Sequence, residues 1–409
     1  MHYFKNTDLA KLYNVSEKTV RNWIQAASTG KLALQLVEAD GRQYIANIIR
    51  NTTLIEMLVE KNKKFTNSRG YKSIAPTPDF YKIYTAKEIF DIVSSLDIYR
   101  EMPHSYSYFN DGAADWDLYV QKLAQENSTN ILSNTVSLLE LSKPYLDDLL
   151  ENYSKVNLID IGPGNAYPVN GLLAHFLKAG KLGRYIGIDI SQDMLNIAKR
   201  NIRTWFGDQV SFEGYVRDAN YERFEDLLAP DSFGKDSSVA NVVLYLGSTI
   251  ANFRKPNQSL ATIHESMGKN DVLLLSRSLD TARVRRYFDF ITDDTSGGSR
   301  LSSLDGFVLN QLITDDSLYE VEQFFDEQKM ARKIQVRLKV ALSIEFQLNH
   351  KPKVINFNKD ETILLWQHKH QDLLGVIGQL DENGFDILGA AKSTDQETML
   401  AVAKIKTSY

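Results

Sequence analysis

The chain contains no cysteine, which excludes disulfides, thiolate metal sites and a cysteine nucleophile. Its seven histidines are scattered. The nearest pair, His368 and His370, has no third ligand at a spacing typical of zinc, so no metal is expected and both read as structural or surface residues. No apolar run approaches the roughly 20 residues needed to span a bilayer. The start, Met1-His-Tyr-Phe-Lys5-Asn-Thr-Asp8, is polar and has no leader pattern, which points to the cytoplasm. Also missing are a phosphate-loop motif, a Ser-His-Asp order, internal repeats and low-complexity tracts. The 409 residues suffice for two or three domains.

What is present begins at Val156-Asn-Leu-Ile-Asp160-Ile-Gly162-Pro-Gly164-Asn-Ala-Tyr167, an apolar run that meets an acid and then two glycines. A backbone that passes close to a ligand, at φ angles a side chain resists, is best built from glycine. A parallel strand ending in such a loop delivers its ligand to the carboxyl edge of the sheet. The next strand, Arg184-Tyr-Ile-Gly-Ile-Asp189-Ile-Ser191, also ends in an acid, whose carboxylate can accept both ribose hydroxyls of a nucleoside. No third glycine stands at the dinucleotide position of the loop, which favours S-adenosylmethionine over a nicotinamide cofactor. A third strand, Gln209 to Asp218, ends in an acid placed for an adenine amino group. Each of these acids alone could be a helix cap or turn residue, but three in succession favour a nucleoside site.

The fourth strand, Asn241-Val-Val-Leu-Tyr-Leu-Gly247-Ser248-Thr249-Ile-Ala-Asn252-Phe253, resembles the Leu-Gly-Ser-Thr-Ile-Gly-Asn-Phe motif of the histidine-specific α-N-methyltransferase family of ergothioneine biosynthesis. The resemblance runs from about Tyr106 to the C-terminus. It includes Ile355-Asn-Phe-Asn-Lys-Asp-Glu361-Thr-Ile-Leu-Leu-Trp366-Gln-His368-Lys369 and Gly384-Phe-Asp-Ile387. It implies a class I, Rossmann-like α/β fold with an inserted substrate domain and S-adenosylmethionine as donor, held by Asp160, Gly162, Gly164, Asp189, Ser191, Asp218 and Gly247. By position, Asn252 would hold the acceptor's α-amino and α-carboxylate groups, since an amide offers both donor and acceptor. In Asp280-Thr-Ala-Arg-Val-Arg-Arg-Tyr287-Phe-Asp289, Tyr287 corresponds to a carboxylate-contacting tyrosine. With Asp289 it is also the candidate for proton handling. Upstream, Tyr106-Ser-Tyr108-Phe-Asn110 resembles a substrate-covering segment, with Tyr108 the candidate, although any of 20 tyrosines can equally be a packing residue.

The sequence departs from the family pattern at its imidazole-reading segment. Where the resemblance implies Ile-Glu-Met and a short hydroxyl residue, this chain has Lys333-Ile-Gln335-Val336-Arg337-Leu338. Losing that carboxylate argues against histidine as acceptor, because a pocket built for one polar group rejects others. Arg337 would suit an acidic or carbonyl-bearing acceptor, or is simply a solvent-facing strand residue. The family's lysine after the glycine loop is also missing, with Pro168 near its place.

The N-terminus reads separately. Thr7-Asp-Leu-Ala-Lys-Leu-Tyr-Asn14-Val-Ser16-Glu-Lys18-Thr19-Val20-Arg21-Asn22-Trp23 resembles a winged helix-turn-helix of the MerR or excisionase type. Thr7 and Ser16 are its expected helix caps, and Leu9, Leu12, Val15, Val20 and Trp23 its core. Leu34 to Ile45 alternates about Asp40-Gly41 as a wing hairpin would. Through Ala75 there are 12 Lys and Arg against 6 acids, a net of +6, in a chain whose total is −5. That asymmetry suits DNA, with Lys18, Thr19, Arg21, Asn22 and Arg42 as contacts, while protein binding or a homodimer is the competing use of such a module.

The expected domains are residues 1–75 as head and linker, 76–130 with 278–332 as substrate-binding domain, and 131–277 with 333–409 as methyltransferase core. Within the insert, Ser296-Gly-Gly-Ser299 reads as an ordinary turn or a lid hinge. The function expected is S-adenosylmethionine-dependent N-methylation of an amino acid, or a similar small molecule, other than histidine. The competing reading is a non-catalytic DNA-binding regulator or scaffold whose body senses the donor.

Overall fold

The computed structural model describes residues 3–13, 15–66, 70–126, 128–228, 238–287, 301–348 and 351–406, without the side chains of 49 and 60–66. Asp289, Asn14 and the 296–299 loop lie outside the described residues. The chain divides into two compact units, one of residues 1–73, 340–343 and 354–359, the other of 74–339, 344–353 and 360–409. Among the described residues no helix is long and apolar enough to cross a membrane.

In the first unit, strand β1 (Tyr3–Phe4) precedes helices α1 (Asn6–Leu12) and α2 (Glu17–Ser28), followed by hairpin β2 (Leu36–Ala39) and β3 (Arg42–Ala46) and helix α3 (Ile49–Thr66). The hairpin turns at Asp40 and Gly41, both at positive φ (51° and 69°), as a two-residue loop matching the twist of its strands requires. Leu9, Val20, Trp23, Leu34, Ile45 and Ile55 form its core. Ser16 caps α2 as expected, its Oγ accepting from the Thr19 N–H at 3.1 Å. Two expectations fail. Thr7 is not a cap, because α1 starts one residue earlier behind Lys5, whose carbonyl accepts from Asp8 and Leu9. Leu12 is 64% exposed, because Tyr13, a full turn after Leu9, takes the inward position. Lys72–Ile74, read as linker, is a short strand.

The second unit is built on seven strands: β4 (Lys155–Ile161), β5 (Leu182–Asp189), β6 (Phe212–Val216), β7 (Val239–Tyr245), β8 (Val272–Ser278), and, near the C-terminus, β12 (Phe385–Lys392) and β13 (Thr398–Ile405). Their order is β6-β5-β4-β7-β8-β13-β12, with the first five parallel and β13 antiparallel to β8. The central parallel strands β4, β7 and β8 are mostly apolar and buried because both faces are covered. Leu158, Val242 and Leu244 face helices α6 (Ile131–Leu149), α7 (Asn170–Lys178) and α8 (Gln192–Phe206), while Ile159, Ile161, Val243 and Tyr245 face α9 (Pro256–Ser266) and α10 (Leu373–Glu382). This is the expected α/β class, with a mixed central sheet. A separate antiparallel sheet joins β9 (Tyr319–Asp326), β10 (Ala331–Leu338) and β11 (Thr362–Lys369). Helices α4 (Ala86–Tyr99) and α5 (Asp111–Gln125) precede the core.

Gly187, buried in β5, sets how closely the glycine loop can pack on the sheet. A Cβ there would lie 2.6 Å from the Phe212 ring and 3.2 Å from Pro163. Gly187→Ala is expected to lower stability by about 1–3 kcal/mol in urea denaturation. Gly378→Ala, in α10 with nothing within 4 Å of the added carbon, should be neutral or stabilising by roughly 0.5–1 kcal/mol. Equal midpoints for the two variants would contradict this packing account.

Candidate active site

Four parallel strands bring their carboxyl ends to one edge. After β4, Gly162 and Gly164 take φ of 65° and 56°. At Gly162 a Cβ would meet nothing nearer than Thr249 at 3.9 Å, so conformation rather than crowding calls for glycine. At Gly164 it would come 3.1 Å from Nε1 of Trp116, an α5 residue lying over the loop. The loop is tied down through Asn165, which donates to Asp117 at 2.9 Å; Asp117 also accepts from Arg200 of α8 at 2.8 Å.

The acids follow in order. Asp160 is buried and accepts from the Tyr185 hydroxyl at 3.0 Å. Burial pushes its pKa up to about 7; the Tyr185 bond opposes that rise and the nearby Asp189 charge adds to it. Asp189, half-buried at the end of β5, accepts from the Ser191 N–H at 2.9 Å, and burial raises it to about 6. Asp218 accepts from both the backbone and side-chain nitrogens of Asn220, and burial raises it too. Ser191 is fully buried and spends its hydroxyl on the fold. It accepts from Met194 as the cap of α8 and bonds the Tyr108 carbonyl. It therefore holds Tyr108, whose ring meets Trp116 edge-on at 5.5 Å.

Two left-handed glycines with three acid-ended neighbours fit a nucleoside carrying a ribose and an amino-substituted base. The histidine-specific, S-adenosylmethionine-dependent methyltransferase family matches residues 86–405. This chain belongs to that family. S-adenosylmethionine is thus its cofactor. Solved structures similar to this methyltransferase include an S-adenosylmethionine-dependent methyltransferase from Clostridium acetobutylicum, with TM-score 0.39, 10% identity, and coverage of 72% of this chain and 99% of that one. A magnesium protoporphyrin IX methyltransferase from Synechocystis has TM-score 0.39 and 9% identity, covering 78% and 99%. A glycopeptide N-methyltransferase has TM-score 0.33 and 11% identity, covering 66% and 87%. No curated protein sequence matches the chain.

Beyond β7 the chain turns at Gly247 (φ 68°) and Ser248 (φ 64°). A Cβ on Gly247 would meet nothing within 4 Å, so the backbone faces open space. Its N–H donates to the Ser276 hydroxyl at 2.9 Å. Ser248 adopts a conformation that disfavours side chains, and its hydroxyl is fixed: it accepts from the Ser278 N–H at 2.9 Å and lies 3.2 Å from His368 Nε2. The other ring nitrogen, Nδ1, lies 2.7 Å from Asn252 Oδ1. Burial, with the Arg332 charge next, holds His368 far below its usual pKa. A neutral imidazole facing an amide oxygen must carry its proton on Nδ1, which leaves Nε2 to accept from Ser248. The amide nitrogen of Asn252 then has no acceptor among the described residues and is available to a ligand.

Around this relay stand residues that the sequence reading did not assign. Trp366 stacks beside His368, with centroids 5.7 Å apart. Arg332, directly across from His368 in the β10–β11 register, places its guanidinium 4.3 Å from the Tyr287 ring centroid and 5.6 Å from that of Trp366. Its Nε donates to His370 Nε2 at 3.1 Å. His370 is buried, and burial with the Arg332 charge lowers its pKa to about 3. Tyr287 is thus placed by this cluster, and Tyr119 feels the charges of both Tyr287 and Arg332. Gln335 and Arg337 are held elsewhere: both donate to Glu322, Gln335 at 2.6 Å, and no hydrogen bond links either to Asn252. A bulge between Ile334 and Gln335 shifts the register there. The available signal was the quoted C-terminal pattern itself, whose Trp366 and His368 alternate along β11.

Donor affinity measured by calorimetry is expected to be flat above pH 7 and to fall below pH 6, as protonation of Asp189 removes the acceptor for the ribose hydroxyls. The loss should approach tenfold per pH unit well below 6. Asp189→Asn should weaken binding at pH 8 by about 10- to 100-fold and abolish this dependence, whereas Asp160→Asn should retain it. Equal wild-type affinity at pH 5 and pH 8 would remove Asp189 from the site.

Proposed function

We propose that this methyltransferase transfers a methyl group to the α-amino nitrogen of an amino acid, or an amino-acid-like molecule, other than histidine. The observation that carries this reading is the Asn252 amide, oriented by a neutral His368 immediately after the Gly247 turn. Its two N–H donors suit the acceptor's carboxylate, its oxygen being taken by His368. The carboxylate that the resemblance requires for an imidazole has no counterpart in the Trp366, His368, Arg332 and Tyr287 cluster.

When bound, the donor supplies an electrophilic sulfonium methyl group. The chain's own work is alignment and exclusion of water. Asn252 would fix the acceptor's head group, Gly247 would let it approach closely, and Tyr108 with Trp116 would cover the donor side. Asp160, Gly162, Gly164, Asp189 and Asp218 would hold the nucleoside, with Ser191 acting through Tyr108. Arg332 and the burial around it disfavour an ammonium, so the amine loses its proton more readily on entering. Tyr287, whose ring lies under the Arg332 guanidinium, would be the candidate to handle that proton. In this reading, residues 76–130 and 278–332 form the substrate-binding part of the unit.

For the head we propose a winged helix-turn-helix that binds DNA. Lys18, Arg21, Asn22 and Arg42 are exposed and Thr19 partly so, and α2 with the hairpin tip would present them together. A homodimer through the same module is the competing use.

Asn252→Ala is expected to raise KM for the amino acid at least tenfold, leaving donor affinity unchanged in calorimetry. Parallel loss of donor binding would show that Asn252 serves the wrong ligand, and donor binding without any methylated amino acid would favour a sensor. Duplex DNA affinity should fall with rising salt, and Arg21→Ala with Arg42→Ala should flatten that slope by about two. Salt-independent binding, or none, would leave the head to protein contacts.

A further inference from the structure

The small β9–β10–β11 sheet carries four cations, of which Lys369 donates to the Arg254 carbonyl at 2.7 Å. Lys333 pairs with Asp326 at 2.7 Å, Arg337 with Glu322 at 2.6 Å, and Arg285 beside the sheet with Asp280 at 2.6 Å. Arg332 has no carboxylate within ion-pair distance among the described residues. Glu397, which acts on it electrostatically, is already paired with Arg283 at 3.5 Å, and Asp280 is held by Arg285. Among the described residues the one hydrogen bond from its guanidinium goes from Nε to His370, and Nη1 and Nη2 meet no protein acceptor there. Tyr287 and Trp366 flank the plane, and the two neighbouring imidazoles, His368 and His370, stay uncharged. A half-buried cation so placed lacks its counter-charge.

We propose that Arg332 is the specificity-determining residue of this enzyme, binding a carboxylate on the acceptor's side chain. The acceptor is accordingly an α-amino dicarboxylic acid. This rests on the amino-acid reading of the Asn252 site. Asn252 takes the head group, and Arg332, reached through His368 across the β10–β11 register, takes the distal carboxylate. The planar fork of Nη1 and Nη2 matches the two oxygens of a carboxylate, whereas a lysine would offer only a point charge. Flanking aromatic faces keep that fork in one orientation and strip water from it, which strengthens the pair.

The test uses the full-length protein with S-adenosylmethionine and a panel of free amino acids, reading methylated product by mass. Glutamate and aspartate are expected to exceed glutamine, asparagine and histidine by at least about 100-fold in kcat/KM. Arg332→Met, which keeps the packed stem, should abolish that preference while leaving donor affinity and the melting temperature near those of the parent; Arg332→Lys should restore it in part. Equal losses by Arg332→Met toward acidic and neutral amino acids would make Arg332 an anchor for the α-carboxylate and overturn the assignment, as would a parent enzyme that prefers neutral or basic acceptors. Titration of the S-adenosylhomocysteine-loaded protein with glutamate separates this inference from the proposed activity. Arg332-dependent binding without turnover would uphold the subsite while refuting catalysis. Methylation of other amino acids, with no binding of acidic ones, would do the reverse.

Discussion

The site depends on one turn, Gly247-Ser248, in which two consecutive residues adopt left-handed backbone angles at the end of a buried parallel strand. For serine this costs on the order of 1 kcal/mol, and it persists only because neighbouring structure fixes it. The fixing bonds come from the next strand of the sheet: Ser276 Oγ receives the Gly247 N–H, and Ser278 donates its N–H to Ser248 Oγ. With Ser248 Oγ committed as an acceptor on one side, its proton is directed at His368. The Ser248 hydroxyl and the Asn252 amide oxygen thus agree on one tautomer of an imidazole on another sheet, with its proton on Nδ1.

The same edge of the sheet gathers acids for a different reason. Parallel strands covered on both faces end where the backbone leaves the core, so their last side chains are half removed from water. Asp160 and Asp189 accordingly ionise reluctantly. Ribose hydroxyls can hydrogen-bond such a carboxylate without adding charge to a poorly solvated place. On the far side of the Gly247 turn the chemistry is inverted, with neutral histidines, aromatic faces and the guanidinium groups of Arg332 and the buried Arg277. Donor and acceptor halves therefore differ in electrostatic sign, which discourages either ligand from occupying the other's place.

The acid- and glycine-lined carboxyl edge of the sheet was legible in the sequence because each of its features is local. Asp160, Gly162, Gly164, Asp189 and Asp218 all follow directly from apolar runs whose length and composition mark buried parallel strands. The acceptor half was less so, because its partners come from separate folding units of the sequence: Asn252 and His368 are 116 positions apart. A motif can name Asn252, but nothing near it names the imidazole that orients it. The absence of a third ligand made His368 and His370 look inert, although their role requires no metal. Gln335 and Arg337 show the opposite error. They belong to a strand with the right composition, but their acid, Glu322, lies on the preceding strand, and a bulge after Ile334 changes the register. In the head, Leu12 and Thr7 depended on a helix boundary, the feature a periodic pattern defines least well.

Charge balance links the two halves. A sulfonium donor is itself cationic, and an incoming ammonium would face both it and Arg332. With no carboxylate among the described residues paired to that arginine, the proposed pocket would repel a protonated amine and admit the neutral form needed for attack. The same arrangement would repel a wholly neutral acceptor less strongly than a cationic one, and would attract an anionic one most. On the proposed reading, selectivity and nucleophile activation would both draw on the Arg332 charge rather than on a dedicated base. On that reading neither imidazole of the cluster would serve as the base: His368 is committed to Ser248 and Asn252, and His370 Nε2 accepts from the Arg332 Nε–H.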